Sequence, residues 1–261
     1  YSTYSYKVYL KFMSIQINYK NNDLKKTPTN LVLFVEENFN ISGLKKFISS
    51  SEFSYISDLL KNSDLKKNLL FFKVNSKKTI FLVSIKKNSE TSDIESLGAE
   101  FHSYIDYDKK SEYFINSDSI SSKFENFIGY FLHGLKLKSY EFNIYKSKKD
   151  KELISINLIG RKNKPSIKQE LRFKAIEQGT FFARDLVSEP PNVLNPKEYV
   201  NRLLKLKKLG IKVIVYNETQ MKKLGMHSLL GVGRGSVNES FLVTLEWNGN
   251  KKDKKAPLSF V

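Results

Sequence analysis

The sequence predicts an α/β fold with a mixed sheet, on three observations. Short apolar runs rich in β-branched and aromatic residues alternate with stretches of helical periodicity. One of these runs, Asn30–Val35 (NLVLFV), is apolar almost throughout, as a strand covered on both faces requires. Two more, Leu69–Val74 and Thr79–Ile85, are separated only by NSKK, which is hairpin spacing.

In chain order, Ser14–Tyr19 alternates as a strand and Asn30–Val35 follows as a buried one. Helical spacing covers about Tyr55–Lys61, and the hairpin comes next. A helix around Asp93–Tyr104 leads to a short strand at Tyr113–Ile115. Phe124, Phe127/Ile128, Phe131 and Leu135 fall at helical spacing within Ser122–Leu135. Tyr140–Tyr145 and Leu153–Ile159 read as strands. Arg161–Ser166 is charged, contains Pro165, and reads as a linker.

A long helix is expected over about Ile167–Val187, with Leu171, Ala175, Gly179, Phe182 and Leu186 as its packing stripe. The small row Ala175, Gly179, Ala183 would let another element approach closely, so this helix should be packed between domains. Three of the six prolines then fall between Pro190 and Pro196. Each proline disfavours helical geometry in the residue before it, so the segment is a stiff non-helical connector. Asn195 as cap, Pro196 at the first helical position and Glu198 bonding back start a new helix, which Gly210 ends. Ile211–Tyr216 is a strand, and Asn217 caps a short helix ending near Gly225. LLGVGRGS, SFLVTLEW and PLSFV read as strand or strand–loop pieces.

Composition narrows the class. Hydrophobic residues at 40% and aromatics at 13% suffice for a core. No apolar run approaches the ~20 residues of a membrane span, and the N-terminal stretch lacks a secretory pattern. The absence of cysteine excludes disulfides, thiolate metal sites and a cysteine nucleophile, and makes a cytoplasmic location the default. The net charge of +17 invites a nucleic-acid reading. It is, however, carried by dispersed lysines, with only Arg161, Arg172, Arg184, Arg202 and Arg234 as arginines. Residues 1–165 and 166–261 carry +9 and +8, without local concentration, so a solvated surface is favoured over a nucleic-acid face.

Candidate chemistry is sparse. Gly231-Val232-Gly233-Arg234-Gly235-Ser236 resembles part of a phosphate loop, but neither glycine fingerprint is complete and a strand follows where a helix is needed. A tight loop explains it. His102 and Asp106 stand four apart with Glu95 and Glu100 nearby, without an HExxH pattern or third ligand. His133 reads as a packed helix residue, and His227 has no evident partner. Glu36-Glu37 and Asp106 with Asp108 do not form an acid–base pair, and the lysine runs at 146–151 and 251–255 read as solvated turns. Catalytic and metal residues: none.

Three segments nevertheless resemble the leucyl (cytosol) aminopeptidase family. GLKLKSYEFNIYKSKK (134–149) is similar to the end of that family's N-terminal domain. FFARDLVSEPPNVLNPKEYV (181–200) is similar to its interdomain segment, and LGMHSLLGVGRGSVNESFLVTLEWNG (224–249) to the opening of its catalytic domain. The resemblance implies a macro-domain-like N-terminal α/β domain, a linker helix, and the start of an α/β metallopeptidase domain. It further implies a centre of two divalent metals, Mn or Zn, acting on peptide substrates within a homo-hexamer. Expected boundaries are an upstream extension at 1–12, the N-terminal domain at 13–165, an interdomain helix and linker at 166–190, and the peptidase domain from 191 to 261. Met13 reads as a natural start. The family's first ligand lysine follows the strand equivalent to Pro257–Val261, so no ligand is carried over and the chain alone is expected to be an inactive N-terminal part. Arg184 and Asp185 are expected to fix the domain seam.

Overall fold

Leu31, Val32, Leu33, Phe34 and Val35 are each 4% exposed or less, and the architecture follows from that burial. They form most of β2 (Asn30–Glu36), whose side chains alternate between two separate cores. Val32 and Phe34 enter one, and Leu31, Leu33 and Val35 the other. A strand without a polar face has to be covered on both sides.

The computed structural model describes residues 15–19, 29–107, 111–121, 124–147, 153–249 and 256–260. The upstream extension, Asp108 and the lysines of 148–151 and 251–255 lie outside the described residues. The chain divides into two compact units, Tyr1–Phe182 and Ala183–Val261. In the first, β2 is joined by β1 (Ile15–Asn18), β3 (Leu69–Lys73), β4 (Thr79–Ile85), β5 (Glu112–Asn116) and β6 (Ile154–Ile159), in the order β1-β6-β5-β2-β4-β3. Neighbours are parallel except for the β3–β4 hairpin, so the sheet is mixed as expected.

Helix α1 (Ser50–Leu60) covers one face with Ile56 and Leu60. It starts five residues before its apolar spacing becomes readable, because Ser49 and Glu52 form a complete capping box. Helices α2 (Thr91–His102) and α3 (Phe127–Lys138) cover the other face. They meet backbone to backbone. A methyl group on Gly98 of α2 would overlap the carbonyl oxygen of Phe131, and one on Gly134 of α3 would overlap that of Glu95. Phe34, from β2, fills the space below with edge-on contacts to Phe127 and Phe131, at 5.3 and 5.2 Å between ring centres.

Two expectations in this unit are corrected. Tyr140–Tyr145 forms no strand; it is irregular, and the Tyr140 ring packs on Phe181 at 5.3 Å. Helix α4 (Ile167–Ser188) does not bury the Leu171/Ala175/Gly179 row. Leu171 is 61% exposed, Ala175 and Gly179 are exposed, and nothing lies within 4 Å of a side chain built on Gly179. The buried row is instead Phe173, Glu177 and Phe181, two positions and about 200° round the helix. The reason is Gly129, whose missing side chain leaves the space on α3 that the Phe173 ring occupies.

The second unit begins in the last turns of α4. After a turn closed by Val193 and Leu194 donating to the carbonyl of Pro190, α5 (Pro196–Leu204) starts on Asn195, whose side chain accepts from the Glu198 amide. The expected return bond from Glu198 to the cap is replaced. Its carboxylate takes Arg202 Nε at 3.1 Å, while Arg202 Nη2 reaches Glu189 at 2.9 Å. Arg202 thus spans the double-proline connector. A left-handed Gly210 ends the following 3-10 turn. β7 (Lys212–Tyr216) then pairs antiparallel with β8 (Leu242–Glu246), with α6 (Glu218–Lys223) and α7 (His227–Gly233) between. LLGVGRGS is therefore largely the end of a short helix rather than strand or loop. Residues Pro257–Phe260 form no strand either, and Leu258 and Phe260 are 90% and 94% exposed. No described helix is long and apolar enough to cross a membrane.

Gly98→Ala and Gly134→Ala should each lower stability by about 1–3 kcal/mol, since the opposing atom is main chain. Gly43→Ala, with open space around it, should not. Urea unfolding midpoints check both. Arg202→Ala should lower the midpoint in the same experiment, chiefly by leaving the buried Glu189 carboxylate without its guanidinium partner.

Candidate functional site

The titratable side chains singled out in the sequence do not converge. His102 Nε2 lies 2.6 Å from the Tyr107 hydroxyl, while Glu100 accepts from Asn68 Nδ2 on the strand side. Asp106 contributes its main-chain N–H to the Tyr113 hydroxyl. Glu95 faces His133 instead of His102. Glu36 accepts from Asn40, and Glu37 lies in an exposed 3-10 turn. His227 is the exposed first residue of α7. Among the described residues, no three His, Asp or Glu side chains are grouped so as to hold a metal ion.

Gly231 and Gly233 lie within α7 and Arg234 caps it, so the glycine-rich segment presents no phosphate cradle. Arg184 and Asp185 lie half-buried near the end of α4.

Parallel sheets bind ligands where strand order reverses direction. Here that point lies between the C-terminal ends of β2 and β5: from β2 the chain moves outward to β4, and from β5 it moves the other way to β6. A turn at Ser117–Ser119 occupies the crevice. Ser119 Oγ accepts from the Phe34 amide at 2.9 Å and donates to the Asn116 carbonyl at 2.7 Å. Ser117 Oγ donates to the Ile159 carbonyl, and Asp118 takes the amides of Arg161 and Lys162 at 2.8 and 2.6 Å. Gly160, at φ 104°, is what brings those amides round, and a side chain there would press on Ser117. These groups satisfy one another. A serine–aspartate turn directly after a strand, opposite a glycine after the next, was the available sequence signal.

Three polar residues, of which the sequence pattern pointed only to His133, lie between α3 and its neighbours. His133 and Lys136 of α3 and Glu177 of α4 are all nearly buried. His133 Nδ1 stands 3.3 Å from Glu177, and its Nε2 stands 3.9 Å from Glu95. His133 is thus a packed helix residue, as expected, but a hydrogen-bonded one.

The catalytic domain of the cytosol aminopeptidase family matches residues 181–261. The probable cytosol aminopeptidase of Agrobacterium fabrum is 39% identical over 137 residues, which cover 50% of this chain and 27% of that protein. That of Phytoplasma mali is 38% identical over 138 residues, 50% of this chain and 28% of that protein. The chain therefore spans little more than a quarter of the length of these relatives. Among solved structures, a tomato leucine aminopeptidase mutant superposes with a TM-score of 0.69 at 18% identity, over 88% of this chain and 50% of that one. The cytosol aminopeptidase of Coxiella burnetii gives 0.63 at 14% identity, over 90% and 46%. These two likenesses concern the fold, a mixed α/β arrangement around a mostly parallel sheet. Residues 181–261 are thus similar to the catalytic domain of the cytosol aminopeptidase family, and the fold is similar to that of leucine aminopeptidase.

Proposed function

We propose that this chain is the N-terminal part of a metal-dependent aminopeptidase that removes N-terminal residues, often leucine, from peptides. The observation that carries the reading is the catalytic-domain match over residues 181–261. In this reading residues 13–165 form an accessory domain, 166–190 the interdomain helix and linker, and 191–261 the start of the peptidase domain. The working enzyme is a cytoplasmic homo-hexamer with two divalent metals, Mn or Zn. A neighbour of the same fold, the bottromycin maturation enzyme BotP, is a complex with Mn, at a TM-score of 0.63 and 14% identity.

The described residues do not fit such a centre, since no three potential ligands come together. No ligand or catalytic role is therefore assigned to this chain, and residues 1–261 alone are expected to be inactive.

Two measurements test the reading. The nucleotide sequence downstream of the Val261 codon should encode a Gly-Lys-Gly turn and an Asp-x-Gly-Gly within about a dozen residues. The longer product should release p-nitroaniline from its leucyl derivative in the presence of Mn, and EDTA should stop it. Residues 1–261 should show no turnover above buffer. Absence of those motifs, or a longer product inert with both Mn and Zn, removes the proposal.

A further inference from the structure

Helix α4 attaches to the first unit in an unusual way. Its buried row places an acidic residue, Glu177, between Phe173 and Phe181. The two aromatic residues dock conventionally: Phe173 meets Tyr130 at 5.1 Å and His133 at 5.2 Å, and Phe181 meets Tyr140. The centre of the contact is polar. His133 and, one turn on, Lys136 stand on the side of α3 that α4 covers, and Lys136 Nζ donates to the Ile15 carbonyl of β1.

Lys136 is 6% exposed, so its ammonium form has given up nearly all its water. Desolvation depresses its pKa to about 8, against the pull of Glu177 in the other direction. Among the described residues, His133 of the same helix faces Glu95 from α2 and Glu177 from α4, and Tyr19, just after β1, feels Glu177 and Glu170 of α4. Burial and those same two glutamates push Tyr19 upward, so it stays a neutral phenol while Lys136 titrates.

We propose that residues 167–182 of α4 act as a proton-linked strap, whose release from α3 takes up one proton at Lys136. Docked, Lys136 is buried and bonded to a main-chain carbonyl; released, its amine regains water and behaves as an ordinary lysine. The direction follows. The cost of burying the ammonium is fully present below pH 8 and disappears as pH rises toward the ordinary lysine value, so docking tightens with alkalinity. The strap leads directly into residues 183–261, so proton uptake governs how firmly the first unit holds the helix that continues into the second.

Hydrogen exchange of the amides of 170–182, corrected for intrinsic rates, reads the opening constant in the full chain. Between pH 7.5 and 9.5 it should fall about 20-fold, with β2 amides reporting global unfolding as the reference. Lys136→Met should abolish the slope. Should that variant fail to fold, Glu177→Gln should move the onset of the slope to lower pH. A flat wild-type profile overturns the proposal, as does an unchanged slope in Lys136→Met or an unmoved onset in Glu177→Gln.

Discussion

Residues 15–182 depend on a single constraint, that β2 has no side of its own to show to water. Its two sets of apolar side chains demand two cores, and everything else is arranged to supply them. The hairpin and α1 furnish one, while α2 and α3 furnish the other. Because Phe34 reaches up between Phe127 and Phe131, the strand also fixes where α3 lies. Where α3 lies fixes in turn where Phe173, Glu177 and Phe181 find their places.

How much of this could be read from the residues depended on what encoded it. Period-two and period-3.6 patterns are written in single side chains, so β2, the hairpin, α2 and α3 were legible. Capping chemistry was legible too, at Asn195 and Asn217. The face of α4 was not. Its sequence offers two rows, and the better-looking one, Leu171 with Ala175 and Gly179, stays exposed. The deciding feature is a vacancy at Gly129 on another helix, about forty residues away, which no local pattern reveals. Tyr140–Tyr145 failed for a related reason. Its alternation is strand-like, but the Tyr140 ring is taken by Phe181, and no neighbouring strand is offered.

The site was legible in a different sense. Spacing alone gave no constellation, and the structure brings none together among the described residues. The resemblance to the aminopeptidase family is carried by segments whose individual chemistry is ordinary: an Arg-Asp pair, a double proline, a glycine-rich stretch. In the fold two of them are local connections. The double proline is bridged by Arg202 between Glu189 and Glu198, and the glycine-rich stretch closes a helix.

The reciprocal glycines of α2 and α3 carry one more implication, for how this sequence can change over time. At an ordinary core position, a larger residue can be accommodated when a neighbour across the contact becomes smaller. At Gly98 and Gly134 the neighbour is a carbonyl group, which every residue possesses and no substitution trims. Neither position can therefore be rescued from across the interface. Divergence there has to proceed by sliding or tilting a whole helix, which would also disturb Phe34 and the strap. The two positions form a ratchet: once the helices had closed to this distance, the descendants of the sequence were committed to it.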